Sequence, residues 1–288
     1  MNIYIFLFFC VLVFIQSSCR NSEPKYFTVK DLKGTWKLDS TEYEVHLKSD
    51  VLFNPRTNMS LFSIDSVFND IIGFYKFEYT KHCQIEALGT ETKFRLQHDT
   101  LEVWNTEREH WRRYKVNNVV NDTLYLQEML GGSLEEKFVR AHQPENQLDF
   151  DHLAIFQKYI GCDDNVYILG KDGLFQHYIL NKGKTLEFYS YNLLKSSVDS
   201  LFHNFRYVDI TTLRDKYHKT ASGYFHHFTL FFVKDGKVIK TIVDDGFCSP
   251  PEFKAGFLPI VGFDTRNQQK VEGDRTLLHI LIPYLEQY

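Results

Sequence analysis

The sequence predicts a mainly β protein in two parts: an antiparallel β-barrel or meander, then an α+β domain with helices on one face of an antiparallel sheet. Aromatic residues make up 16% of the chain, and aromatic and β-branched side chains favour strands. Alternating runs separated by turn residues recur through residues 31–141, which indicates an antiparallel meander that closes on itself. Residues 150–288 mix hairpin signals with helix-period segments, which indicates an α+β arrangement.

The strands of the first part are predicted from alternation and from the turns between them. Runs at 93–97 and 100–105 flank a turn at His98-Asp99, and two further runs flank Asn121-Asp122. A last strand follows Gly131-Gly132. Residues 105–115 mix arginine and glutamate, and cross-strand ion pairs on a hairpin are favoured there over a basic patch for anionic lipid or glycan.

A short motif at the start of the first strand carries a family resemblance. Gly34-Thr35-Trp36 resembles the Gly-X-Trp signature of lipocalins and their small bacterial relatives. The resemblance implies that Trp36 closes the barrel floor and that Arg140, in the last strand, lies across its ring as a second structural residue. A guanidinium over an indole ring is attractive by about 0.5–2 kcal/mol. The lipocalin-like interpretation makes a small apolar ligand one candidate partner.

The second part begins after a polar stretch at 141–149, which is the predicted domain boundary. Asp172-Gly173 and Asp235-Gly236 predict short hairpins, because both dipeptides suit tight turns. Pro250-Pro251 predicts a helix start. Two segments follow the helical period and are predicted as helices. Their apolar positions are Phe150, Leu153, Phe156 and Ile160 in one, and Leu194, Val198, Leu201 and Phe205 in the other.

This order of elements resembles an uncharacterised domain family of Gram-negative envelope lipoproteins. The likeness covers residues 160–263 and rests on Cys162, Asp172-Gly173, the helix near Val198, the Lys234-Asp235-Gly236-Lys237 turn and Pro250-Pro251. The family has no established activity, so the resemblance implies a type of fold and little more.

The N-terminal segment predicts export. Residues 3–15 are uncharged and apolar, and a run of this length suits a signal-peptide core better than a bilayer span of about 20 residues. Small residues Ser17 and Ser18 follow, as a cleavage site requires. Residues 1–18 are therefore predicted to be a signal peptide, and an uncleaved membrane anchor is the alternative.

Gln16-Ser17-Ser18-Cys19 resembles the lipobox of bacterial lipoproteins. The resemblance implies that Cys19 is acylated, becomes the first residue and anchors the chain in the cell envelope. Arg20 stands where the family's inner-membrane retention signal has aspartate, which favours the outer membrane. Residues 19–30 are polar at their start and are predicted to form a tether between lipid and fold.

The later cysteines are Cys83, Cys162 and Cys248. An exported protein meets an oxidising compartment in which cysteines pair, and an odd number leaves at least one over. A Cys162–Cys248 disulfide is predicted, because both residues lie in the C-terminal half. The alternative is three buried thiols.

The charge and the motifs limit the function. A formal net charge of −4 argues against a nucleic-acid partner. No cofactor motif or metal-ligand spacing is found. The favoured function is binding, with the membrane as partner through the lipid anchor and either a small apolar ligand or an envelope protein as the bound molecule.

Two other functions stay open, and an enzyme is the less favoured class. One is an envelope hydrolase that uses His226 or His227 with Asp244 or Asp245. The other is an immunity-type lipoprotein that neutralises an incoming toxin.

Overall fold

The computed structural model describes twelve segments of the chain. Strands make up 51% of the structure, which confirms the mainly β class. The described residues are 26–39, 59–62, 67–78, 84–129, 135–145, 147–159, 161–181, 184–218, 226–246, 248–263, 268–272 and 276–285. Cys19, the predicted signal peptide and Cys83 lie outside them.

The first sheet closes into a barrel of eight antiparallel strands, in which each strand pairs with the next and β8 pairs with β1. The strands are β1 Gly34–Leu38, β2 Met59–Phe62, β3 Val67–Glu78, β4 Gln84–Gln97, β5 Thr100–Asn105, β6 His110–Val120, β7 Thr123–Glu128 and β8 Glu135–Arg140. His98, Asn121 and Asp122 have positive φ, the backbone that tight hairpin turns require. The predicted turns at 98–99 and 121–122 are therefore confirmed.

A short helix closes one end of the barrel. The helix, α1, spans Val29–Leu32, so residues 29 and 30 belong to the fold and not to the predicted tether. The Asp31 carboxylate accepts the backbone N–H of Thr28 and holds the helix start. Leu32 is fully buried, and its carbonyl accepts the indole N–H of Trp36 at 2.8 Å. The helix therefore covers the apolar interior, and its last carbonyl is satisfied by the indole N–H.

The second sheet has eight strands in the order β13-β15-β14-β9-β10-β11-β12-β16. The strands are β9 His152–Tyr159, β10 Asp164–Gly170, β11 Leu174–Asn181, β12 Lys184–Asn192, β13 Lys216–Tyr217, β14 His226–Lys234, β15 Lys237–Asp245 and β16 Gln269–Lys270. Its pairs are antiparallel except for the short edge strand β13, which runs parallel to β15. The hairpins predicted at Asp172-Gly173 and Asp235-Gly236 are confirmed over their described residues.

Three helices cover this sheet: α2 Lys195–His203, α3 Pro251–Val261 and α4 Thr276–Leu285. The predicted helix after Leu194 and the proline-led helix correspond to α2 and α3. Both pack on one face, which Leu153 and Ile155 share. The neighbouring residues Ala154 and Phe156 point to the opposite face, where α4 packs. The prediction that helices lie on one face only is therefore wrong.

The predicted helix at 150–160 is also wrong, because the segment forms strand β9. This strand lies near the middle of a sheet that is covered on both sides, so both of its faces are apolar. A strand buried on both faces loses its alternation and reads as a continuous apolar run. The i, i+3 spacing of Phe150, Leu153 and Phe156 arose by coincidence within such a run.

The two parts touch through α3 and the segment after α2. The Thr35 hydroxyl lies 3.1 Å from the Tyr207 hydroxyl. Lys37 donates to Glu252, at the start of α3, at 3.2 Å. Ala141 follows the last barrel strand and packs against the core of the second part. The connection at 141–149 therefore joins two parts that are in contact.

Candidate functional site

The barrel floor shows the predicted contact between tryptophan and arginine. The Arg140 guanidinium carbon lies 4.3 Å from the centre of the Trp36 ring, which confirms that Arg140 lies across it. Arg140 also donates to the Lys33 carbonyl at 2.8 Å and to the Asp122 carboxylate at 2.7 Å. The guanidinium therefore ties β8 to α1, to the β6–β7 turn and to the indole ring.

The structure explains why the first residue of the motif, at position 34, is a glycine. Its φ is +141°, and a Cβ built there would lie 2.1 Å from Nη1 of Arg140. A side chain at position 34 would therefore displace the guanidinium from the Trp36 ring. This glycine belongs to the predicted signature, but the close approach of Arg140 that requires it was not predictable from the motif.

The described part of the barrel interior is packed. Apolar side chains from β1 and from β3 through β8 form one buried cluster with Leu32. The buried members are Leu32, Trp36, Leu38, Phe68, Phe94, Leu101, Val103, Tyr114, Val116, Leu124, Leu126 and Phe138. This packing resembles a small barrel whose interior is filled by its own side chains.

Toward the barrel end away from the floor the interior becomes polar. Arg112 donates to Glu128 at 3.1 and 2.8 Å, and its side chain is 15% exposed. Burial alone would lower the pKa of Arg112, but Tyr114, Glu128 and Glu136 outweigh it and raise that pKa. Arg112 therefore stays charged, and its bonds to Glu128 join β6 to β7 at the barrel end away from the floor.

The outer face of β4–β6 carries Arg95 and, from the 105–115 segment, Arg113. Glu102 accepts hydrogen bonds from Arg95 and Arg113, one from each neighbouring strand. These bonds, led by that from Arg95, lower the Glu102 pKa, while burial opposes them. Arg95 lies 4.4 Å above the Trp111 ring, which contacts Trp104 edge-on at 5.5 Å. The predicted cross-strand ion pair is therefore confirmed for Arg113, whose partner is Glu102 of β5.

The predicted histidine–aspartate pair forms between His227 and Asp245. Nδ1 of His227 contacts the Asp245 carboxylate, and Nε2 lies 3.1 Å from the Thr229 hydroxyl. This order of hydroxyl, imidazole and carboxylate is that of a catalytic triad. Thr229 is fully buried, however, so its hydroxyl cannot meet a substrate. His218 and Lys216 lie 3.5 and 3.8 Å from the same carboxylate, and the side chain of His226 is outside the described set.

Asp244 serves a different cluster, which the sequence analysis did not predict. Its fully buried carboxylate accepts the backbone N–H groups of Cys248 at 2.5 Å and Ser249 at 3.1 Å, and the Ser249 hydroxyl at 2.5 Å. Lys254, from α3, is fully buried beside it. Burial raises the Asp244 pKa, and Lys254 opposes that rise. Burial lowers the Lys254 pKa to about 8, against the pull of Asp244.

The cysteines correct one prediction. Cys162 is disulfide-bonded, whereas Cys248 is a buried thiol. The predicted Cys162–Cys248 bridge is therefore wrong. Cys248 lies in the turn that wraps the Asp244 carboxylate, and its sulfur is 3.7 Å from the Gly246 carbonyl oxygen, so the turn itself fixes its position.

Two kinds of site or segment are absent from the described part of the chain. The described residues contain no group of three or more His, Cys, Asp or Glu side chains placed to hold a metal ion. They also contain no helix that is long and apolar enough to cross a membrane.

Comparison of the chain with protein-family models, with curated proteins and with solved structures found no match.

Proposed function

We propose that this chain is a lipid-anchored protein of the bacterial cell envelope that acts by binding. In this proposal Cys19 carries the lipid and holds the protein at the outer membrane. The barrel is a lipocalin-like domain, and the second sheet is an α+β domain of the envelope-lipoprotein type. The observation that carries the lipocalin-like part is the floor, where Gly34, Trp36 and Arg140 meet.

The packing of the barrel favours one class of partner. Trp36, Phe94, Tyr114 and Phe138 fill the described interior with one another and with their neighbours. An apolar ligand placed among these described side chains would have to displace several of them, at about 1–3 kcal/mol for each forced rearrangement. We therefore favour an envelope protein as the bound molecule over a small apolar ligand inside the barrel.

We do not favour the hydrolase alternative: His227 and Asp245 are paired, but Asp244 and Thr229 beside them are buried. Asp244 is enclosed by Cys248, Ser249 and Lys254 and is fully buried. The relay through His227 ends on the buried Thr229 hydroxyl. A nucleophile must lie within hydrogen-bond distance of its base and must also be accessible to the substrate, whereas the Thr229 hydroxyl is buried.

The anchor and the ligand are tested together on protein purified from the membrane of a Gram-negative host. We expect intact mass spectrometry to show a chain that starts at Cys19 and carries acyl groups, and native spectra to show no bound apolar ligand. Growth with a clickable palmitate should label the protein and its Cys10→Ala control, but not Cys19→Ala.

A label that survives Cys19→Ala would show that the lipid assignment is wrong. An apolar ligand that co-purifies in native spectra would instead overturn the preference for a protein partner, and would leave the anchor in place.

A further inference from the structure

The end of the barrel that α1 seals is also where the N-terminal segment joins the fold. The Tyr26 ring lies 5.2 Å from the His98 ring, and the Phe27 N–H donates to the His98 carbonyl at 3.3 Å. Arg140 connects this end to Lys33 and to Asp122. We use the name floor end for α1 with Tyr26 and Lys33, the turns at 98–99 and 120–122, and Arg140.

Chain length limits how far the floor end can lie from a lipid on Cys19. Tyr26 stands seven positions after Cys19, and a fully extended chain covers at most about 3.6 Å per residue. Tyr26 therefore lies within about 25 Å of the acylated residue. This step rests on the proposed function, because it requires the lipid on Cys19.

The surface of the floor end suits a lipid headgroup layer. Tyr26 is 63% exposed and Val120 is 43% exposed, and they are two of the six large apolar side chains that the described residues leave exposed. Tyrosine places its ring among the headgroups and its hydroxyl in water. Val120 lies immediately before the Asn121-Asp122 turn, where a hairpin tip can enter the layer.

Charge on the floor end is balanced, so it does not drive the contact. Lys30 and Lys33 are exposed beside the Asp31 carboxylate, which also caps α1. The cations there are Lys30, Lys33 and Arg140, and the carboxylates are Asp31, Asp99 and Asp122. A balanced surface is neither pulled strongly toward anionic lipid nor repelled by it. The apolar side chains then decide the contact.

We propose that the floor end is the surface with which this protein lies on the membrane, with Tyr26 and Val120 in the phospholipid headgroup layer. The barrel end that contains Trp36 and Arg140 then faces the membrane. The polar end, where Glu128 and Arg112 pair, faces away from the lipid.

The test uses the full lipidated protein in vesicles of phosphatidylethanolamine and phosphatidylglycerol. The readout is the acetylation rate of single lysines, measured by mass spectrometry. We expect Lys30 and Lys33 to react several-fold more slowly in vesicles than in the Cys19→Ala protein free in solution. Lys237, exposed at the β14–β15 turn, should react equally fast in both.

Paired variants test which side chains make the contact. Tyr26→Ser with Val120→Ser should restore fast acetylation of Lys30 and Lys33, while flotation with vesicles persists because the lipid remains. Met129→Ser is the matched control, since Met129 is 53% exposed at the opposite barrel end, and it should leave the protection unchanged.

The outcomes separate the two proposals. If wild-type protein does not float with vesicles, the proposed lipid anchor is wrong, and the proposed orientation is then wrong as well. Protein that floats while Lys30 and Lys33 react at their solution rates overturns the orientation alone. Protection that survives the Tyr26 and Val120 substitutions overturns the role of these two side chains.

Discussion

The barrel and the helix-covered sheet each hold a cation next to their core, but in opposite ways. Arg140 at the barrel floor keeps 31% of its side chain exposed and lies over a buried ring. Lys254 in the second part is fully buried beside the carboxylate of Asp244. Because water still solvates the Arg140 charge, the stability of the floor depends on how well the guanidinium fits against the ring. Because water does not reach Lys254, the stability of the second part depends on the balance between this cation and the Asp244 carboxylate.

The largest expected effect follows from unbalancing the buried charges. Lys254→Met should lower the free energy of unfolding by about 3–5 kcal/mol, because it leaves the Asp244 carboxylate buried without its cation. Chemical denaturation of the purified protein, followed by circular dichroism, measures this change.

The matched control neutralises both partners. Asp244→Asn combined with Lys254→Met should be clearly more stable than Lys254→Met alone, because no uncompensated charge remains. A double variant that is as unstable as the single one would show that α3 needs the lysine for its packing and not for its charge.

The same lysine makes stability depend on pH. The unfolded chain keeps the proton of Lys254 up to its ordinary pKa of 10.5, whereas the folded protein releases it at a pKa of about 8. Between these values the unfolded state binds more protons, so this contribution to stability is complete above pH 10.5 and is lost as the pH falls to 8.

Other lysines and tyrosines titrate in this range as well, so the difference between wild type and Lys254→Met is the useful quantity. We expect that difference in unfolding free energy to change in favour of wild type, by on the order of 2 kcal/mol, from pH 8 to 10.5. If the unfolding free energies of the two proteins change in parallel with pH, the folded-state pKa of Lys254 lies near its ordinary value and the prediction is wrong.

The features that could be predicted from the sequence are those that local chemistry fixes. The turns at Asp172-Gly173 and Asp235-Gly236 and the helix at Pro250-Pro251 need only their own residues. The contact of Arg140 with Trp36 joins distant residues, and it was predictable only because a short motif marks it.

The remaining features depend on contacts between distant elements. β9 was misassigned because helices on both faces of its sheet remove the alternation. The cluster of Asp244 and Lys254 requires α3 to pack beside β15, which no spacing in the sequence shows. A single lysine within the apolar run of α3, between Phe253 and Ala255, was the one available signal. The Cys162–Cys248 prediction was wrong for a related reason. That both cysteines lie in the C-terminal half of the sequence does not determine the distance between their sulfur atoms in the fold.

The smallest of these effects tests whether shape controls the floor. Gly34→Ala should lower the free energy of unfolding by about 1–3 kcal/mol, because φ of +141° is unfavourable for a side chain and because the new Cβ would meet Arg140. Gly161→Ala is the control, since Gly161 also has positive φ but has open space around its Cβ position. Denaturation should show a larger loss for Gly34→Ala than for Gly161→Ala. The excess should shrink when Arg140→Met removes the guanidinium, and an unchanged excess would mean that Arg140 is not what requires glycine at position 34.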